Sequence, residues 1–236
     1  MADFTLGGVP IISGDVDFCR IGAWTADIYL QTDQAPDVGT TTTLALKGRL
    51  LLCTVVATSA DYLQVKCRVV AGRGKLDAVL PAKDYRGYVA SQIAIDCLQE
   101  AGETPGQWDA LDAQCAHWTR SQGPCRGAIR RLSRLFSGGD LVVGADGELD
   151  VTQAVPPVWR VMDDGTCDSV VDSFALSDSS FVALESWGQE RLVHLSVDDA
   201  LIKPGQSIVA FDATRAIDRV VYKIQSDSFE GYVFYY

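Results

Sequence analysis

The sequence predicts an α+β protein that is mainly β, with two similar small antiparallel β-barrels on either side of a small helical α+β middle domain. Over 1–82, the first barrel, and 156–236, the second, apolar and polar residues alternate as in half-buried strands. Within 83–155, the middle domain, the apolar spacing becomes helical over roughly 83–136. The segments 28–70 and 193–236 also resemble each other weakly, which predicts an internal repeat.

The composition narrows the class of protein. With 236 residues and 47% apolar content, the chain can bury one large core or two smaller ones. Its formal net charge of −11 argues against nonspecific nucleic-acid binding, which needs a basic surface. It has no apolar run long enough to cross a membrane and no signal-peptide pattern, so we expect folding in a cytoplasm without membrane insertion. The seven cysteines form no C-x-x-C pair, which favours buried thiols over disulfides.

The first part of the chain contains predicted strands and turns. Alternation from Ala26 to Leu30 predicts one strand, and the Asp, Pro and Gly residues that follow predict a loop. Further strands are predicted over Thr40 to Leu46, Arg49 to Ala57 and Tyr62 to Val70. Several short strands with loops between them indicate a small antiparallel barrel or sandwich. The following Gly72-Arg73-Gly74 lacks the context of a phosphate-binding loop and is interpreted as a turn.

The middle part is predicted to be helical. Apolar residues recur at helical spacing from Ala90 to Ala101, and the glycine that follows is placed to end that helix. A short helix is predicted over Trp108 to Ala113. A third begins near Pro124 and runs through Phe136 to a stop at Gly138-Gly139. An Asp-Gly pair predicts a hairpin over 141–152.

Strands return after Pro156-Pro157. They are predicted over Ser169 to Leu176, Phe181 to Trp187, Arg191 to Val197, Ser207 to Phe211, Arg219 to Gln225 and Tyr232 to Tyr236.

The internal repeat aligns the two β regions with a shift of about 165 positions. The alignment needs one insertion near Lys203 and one slip between Arg49 and Val55. A duplicated β unit favours a ring component that multiplies its own symmetry over an enzyme built around one cleft. The matched positions include Ile28 with Val193, Leu30 with Leu195, Gly39 with Gly205, Arg49 with Arg215, and Val55 with Val220.

The sequence offers few residues for catalysis or metal binding. Cys115, His117 and Cys125 are too few and too loosely spaced for a structural zinc site, and we interpret them as packing residues. The other histidine, His194, lies in an alternating strand and is interpreted as a sheet residue. Acidic groups could pair for glycoside hydrolysis, but turn formation explains most of them. The densest are Asp163-Asp164, Asp168 with Asp172, and Asp198-Asp199.

Five arginines are concentrated in fifteen positions of an otherwise acidic chain: Arg120, Arg126, Arg130, Arg131 and Arg134. Three of them, at i, i+4 and i+8, form a stripe along one face of the third predicted helix. The stripe is either a solvated outer face or a docking surface for an acidic partner or neighbouring subunit.

Several sequence segments together resemble the hub proteins of bacteriophage tails and baseplates. The glycine turn at 72–76 follows a strand ending in Val69-Val70, and the phrase Leu80 to Gly87 precedes a helix that ends in Leu98 to Gly102. Later phrases add to the resemblance: Gly123 to Leu135, Leu141 to Gly147, Ala200 to Gly205, and Arg219 to Tyr222. The resemblance spans nearly the whole chain, with no catalytic signature.

The resemblance implies a homotrimeric ring that joins a sixfold tail tube to a threefold central spike. It implies two β-barrels per chain, no enzymatic activity and no cofactor. The expected partners are two further copies of the chain, a tail-tube or distal tail protein, and a spike protein, assembled in the host bacterial cytoplasm into the virion tail. Interface residues are expected among Arg126, Arg130, Arg131, Arg134, Val233, Tyr235 and Tyr236.

Two other functions are compatible with the sequence. A glycan- or host-surface-binding module at the tail tip would use Trp24, Trp118, Trp159 and Trp187 as aromatic platforms. A hydrolase would use Cys115 or a carboxylate pair. Many hubs carry further domains, and some a fused lysozyme-like domain, so the shortness of this chain makes cell-wall hydrolysis by it unexpected.

Overall fold

The structure is a computed structural model. It describes residues 4–61, 64–136, 155–187, 191–197, 201–210, 213–226 and 228–236. The predicted hairpin over 141–152 lies outside these ranges, and the domain boundaries proposed from the sequence stay a prediction.

The first β region contains six strands. They are β1 (Phe4–Leu6), β2 (Val9–Cys19), β3 (Thr25–Leu30), β4 (Thr41–Leu46), β5 (Arg49–Asp61) and β6 (Gln64–Ala71). Neighbours pair in the order β1-β4-β5-β6-β3-β2, and β1 also pairs with β2, so the six strands close into a barrel. Alternate residues such as Ile28, Val65 and Cys67 fill its interior.

The middle part combines two helices with short strands. Its elements are β7 (Val79–Leu80), β8 (Lys83–Val89), α1 (Ala90–Ala101), β9 (Thr104–Pro105), a 3₁₀ turn (Asp109–Leu111), β10 (Gln114–Arg120), β11 (Gly123–Pro124) and α2 (Cys125–Phe136). Both longer helices are confirmed, and Gly102 ends α1 in the left-handed conformation, with φ of 88°. The antiparallel pair β8 and β10 was not predicted.

The last β region contains β12 (Val158–Val161), β13 (Thr166–Val170), β14 (Phe181–Trp187), β15 (Leu192–Val197), β16 (Ser207–Ala210), β17 (Ala213–Ile224) and β18 (Phe229–Tyr235). The strand predicted over Ser169 to Leu176 is wrong beyond Val170: Val171 and Leu176 are exposed, and Phe174 has a positive φ that no strand adopts.

A single sheet joins the two β regions, because the second half of β2 pairs antiparallel with β17. The sheet continues from β17 through β18 and β15 to β14, and β16 pairs with the first half of β17. In the described residues, no strand bridges β14 and β16 as β1 bridges β2 and β4. The mainly β class is therefore confirmed with one closed barrel.

The internal repeat is confirmed in strand order and register. We call β2 to β6 the first unit and β14 to β18 the second. Both have the same antiparallel order, β4-β5-β6-β3-β2 in one and β16-β17-β18-β15-β14 in the other. Ile28 pairs with Cys67 as Val193 pairs with Val233, and both β2–β3 and β14–β15 contain one register shift at the equivalent place.

The same turn opens β4 and β16. The Gly39 N–H donates to Val55 O at 2.7 Å, and the Gly205 N–H donates to Ile217 O at 3.0 Å. Both glycines have positive φ, which glycine adopts without strain. Ile217 therefore occupies the position of Val55, and the alignments of Val55 with Val220 and of Arg49 with Arg215 are wrong. The reason is that the β4–β5 hairpin is longer than its counterpart and the β5–β6 hairpin is shorter.

Candidate assembly surfaces

The structure separates the arginines that the sequence grouped together. Arg120 is 1% exposed and lies inside the middle part, where it pairs with Glu100 at 2.8 Å. Arg126, Arg130, Arg131 and Arg134 are all exposed on α2. One of these four, Arg131, lies beside Ser121, with 3.4 Å between Arg131 Nη1 and Ser121 Oγ.

The arginine stripe of α2 lines a cleft of about 930 Å³ between that helix and the outer face of the barrel. Arg126, Arg130 and Arg134 reach it from α2, and Arg68 reaches it from β6. With Arg20 they make five arginines among the described lining residues, against one acidic residue, Asp77. We call this the arginine cleft.

Two of the five cleft arginines are neutralised within the chain. Arg126 pairs with Asp77 at 2.7 Å, and Arg20 pairs with Asp172 at 3.0 Å. The other three, Arg68, Arg130 and Arg134, make no ion pair with any residue in the described ranges. The cleft therefore combines concave shape with positive charge on a chain that is acidic overall, which suits an anionic segment of a partner.

The C-terminal strand lies in the middle of the sheet. Because β18 pairs with β17 on one side and β15 on the other, it has no free edge. Val233 is fully buried and Tyr235 nearly so, whereas Tyr236 is half-buried and donates from its hydroxyl to Asp218 at 2.7 Å. Burial and this hydrogen bond raise the pKa of Tyr236.

The structure does not unite the residues considered for thiol or metal chemistry. His117 is exposed beside Asp84, while Cys125 is buried, and its thiol donates to Cys97 O. Burial raises the pKa of the Cys125 thiol to about 12, so it is protonated at neutral pH. Within the described ranges, no three Cys, His, Asp or Glu residues are grouped as metal ligands.

The acidic pairs make structural contacts. Asp163 contacts Arg49 and Lys203, and Asp164 accepts hydrogen bonds from the backbone and hydroxyl of Thr166, which lower its pKa. Asp172 is buried between two arginines. Asp198 and Asp199 lie outside the described residues.

Three of the four tryptophans considered as sugar platforms are buried. Trp24, Trp118 and Trp159 lie in the core, and Trp187 alone of the four is exposed, to 39%. Trp187 stacks against His194, which in turn stacks against Tyr232 at 4.5 Å and contacts Glu230. The interpretation of His194 as a satisfied sheet residue is confirmed.

The fold is similar to that of solved phage tail proteins, so the resemblance seen in the sequence is confirmed at the level of the fold. No protein-family model matches the chain, and no curated protein matches it by sequence. None of the helices in the described ranges has the length and apolar character needed to cross a membrane.

Three solved structures illustrate the similarity. The prophage MuSo2 43 kDa tail protein of Shewanella oneidensis has a TM-score of 0.67 at 9% identity, over 98% of this chain and 95% of that one. A tail protein of Neisseria meningitidis MC58 has a TM-score of 0.68 at 10% identity, over 98% and 95%. The Escherichia coli c3393 protein has a TM-score of 0.61 at 12% identity, over 99% and 76%. It is described as a type VI secretion component that is structurally similar to the T4 tail proteins gp27 and gp5.

Proposed function

We propose that this chain is a structural hub of a phage tail or baseplate. Three copies form a ring that adapts a sixfold tail tube to a threefold central spike, without enzymatic turnover. The observation that carries the proposal is that a single chain contains two units with the same strand order and the same register. Three chains then present six like units around one axis, which matches a sixfold partner on one side while the ring itself stays threefold.

In this assembly the second unit is also a barrel, and the domain division at 82 and 155 holds. A segment beside β16 supports this arrangement: the Ser177 N–H donates to Ser207 O at 2.7 Å, and the Ser207 N–H donates to Ala175 O at 2.9 Å. The segment thus covers the start of β16 at Ser207, on the side of the strand where β1 covers the end of β4 in the first unit.

Light scattering of the purified chain tests the ring. We expect a particle that contains three copies of the 25.5 kDa chain, either alone or, with the added mass of the partner, after addition of the tail-tube or spike protein. A monomer at every concentration, with and without those proteins, would rule out the hub.

The arginine cleft is proposed as the docking surface for an acidic segment of a neighbouring tail protein. Replacing Arg130 and Arg134 with glutamate reverses two exposed charges that have no described ion-pair partner. We expect assembly with the partner to weaken about tenfold or more, because like charges then face each other, and the melting temperature to stay unchanged.

The matched control is Arg131→Glu, on the same helix but outside the cleft lining. It should leave assembly intact. If the double variant and the control bind the partner equally well, the cleft is not part of the interface.

A further inference from the structure

The two units are joined inside the chain by a specific strand contact. The second half of β2 pairs with Arg219 to Ile224 of β17. The Arg20 N–H extends this ladder by donating to Asp218 O at 2.9 Å, and Arg219 forms two bonds to Asp17, at 2.8 and 2.7 Å. We call this contact the internal joint.

The side chains at the internal joint are large and buried. Val220 and Tyr222 of β17 are fully buried, and the Tyr222 ring meets Phe18 of β2 edge to face, with 6.0 Å between ring centres. The Tyr222 hydroxyl also donates to Ile202 O at 2.7 Å. Aromatic pairs of this geometry stabilise beyond the area that they bury.

The first unit has an equivalent receiving edge, which no strand in the described ranges occupies. The register equates Ala57 to Ala60 of β5 with Arg219 to Tyr222 of β17. These residues pair with β6 on one side, and no strand of the described ranges pairs with them on the other. Ala57, Ser59 and Ala60 are exposed, although the counterpart of Ala60 is the buried Tyr222.

The second unit has the matching donor. The register equates β14 with β2, and Trp187 at the end of β14 with Asp15 of β2. The outer edge of β14 has no strand partner in the described ranges. Trp187 is an exposed aromatic residue at this end, and tryptophans are frequent anchors of protein interfaces.

We propose that the Trp187 end of β14 in one copy packs against the end of the β5 edge, at Ala60 and Asp61, in the next copy. This inference rests on the proposed trimeric function and identifies its subunit joint. The joint repeats the internal one. Asp15, the counterpart of Trp187, pairs with Lys223, which is the counterpart of Asp61 at the end of this edge. It runs head to tail, so three copies close a ring without leaving either edge free.

The composition of the β5 edge fits such a contact. Ala57 to Ala60 has the sequence Ala-Thr-Ser-Ala, without the charge or proline that protects exposed edges from pairing, and the charged Asp61 lies only at the end of the edge. Its small side chains leave room for an indole ring to approach the backbone. An uncharged edge that stays uncovered would expose the chain to uncontrolled association, which a closed ring prevents.

Four single variants test the joint. Ala60→Arg places a charge on the receiving edge, and Trp187→Ala removes the anchor. Their controls are Ala116→Arg, at an exposed alanine of β10, and Tyr88→Ala, at an exposed aromatic residue of β8. We expect both joint variants to weaken self-association about tenfold or more, and both controls to behave as the unmodified chain.

Mixing the two joint variants tests the head-to-tail arrangement. Ala60→Arg copies keep their Trp187 end, and Trp187→Ala copies keep their β5 edge, so one joint can form between them. We expect an equimolar mixture to give particles of two chains and no rings. A mixture no more associated than either variant alone would overturn the head-to-tail joint.

The outcomes separate this joint from the hub function. A three-chain particle that both joint variants leave intact overturns the joint alone. An unmodified chain that stays monomeric with and without its partners overturns both. If the joint variants still form three-chain particles and lose only the binding of a tail partner, that partner binds at this edge. This result would also overturn the joint.

Discussion

Replacing Arg120 with alanine is expected to lower the free energy of unfolding by about 3 kcal/mol, because it removes a buried charge that links three elements. Its guanidinium donates to Glu100 of α1 at 2.8 Å, to the Tyr85 hydroxyl of β8 at 3.2 Å and to Pro81 O at 3.0 Å. Alanine would leave these groups without their donor and open a cavity beneath α1. Urea denaturation followed by circular dichroism measures the loss.

Arg131→Ala is the control for Arg120→Ala. Arg131 is exposed on α2 and forms one 3.4 Å contact, so its loss should change stability by about 0.5 kcal/mol or less. Equal stability of the two variants would show that the buried arginine does not hold the middle part together.

Asp172→Ala is expected to have an equal or larger effect, about 3 to 5 kcal/mol, because it leaves two arginines without their shared carboxylate. Asp172 is buried, and it contacts Arg20 at the end of β2 and Arg160 of β12. Arg160 also donates to Pro204 O at 3.1 Å, just before the turn that opens β16. The carboxylate thus ties the end of β2 to the second unit.

Two variants calibrate the Asp172 result. Asp172→Asn keeps a hydrogen-bond acceptor and should lose less stability than alanine. Asp77→Ala removes an aspartate from an exposed pair with Arg126 and should cost about 0.5 kcal/mol or less. A fall in stability that is the same for Asp172→Ala and Asp77→Ala would contradict the role given to Asp172.

Periodicity predicted those elements whose apolar residues face one core. The 3.6-residue spacing of α1 and the alternation of β3 appear directly in their burial patterns. The strand β2 was not predicted, because Pro10 and Gly14 interrupt its pattern. Gly14 has a φ of 154°, and a Cβ there would lie 2.5 Å from Asp27 O, so the close approach of β3 requires glycine.

The candidate surfaces were predictable only in part. Charge spacing predicted a stripe on α2, and the structure places its three members in one cleft. Sequence position could not separate Arg120 from the exposed arginines clustered with it, because its burial depends on Glu100 and Tyr85, which are distant in sequence. The edge at Ala57 to Ala60, which has no strand partner in the described ranges, also could not be predicted from the sequence. An unpaired strand edge is defined by its neighbours in space.

In the proposed ring, three chains place six equivalent units around one axis. Electron cryo-microscopy of the assembled particle tests it most directly, by counting chains and comparing the two units of each. We expect a threefold ring in which first and second units alternate and superpose after a rotation of about one sixth of a turn. A particle with another number of chains, or one in which the two units of a chain occupy unrelated positions, would contradict it.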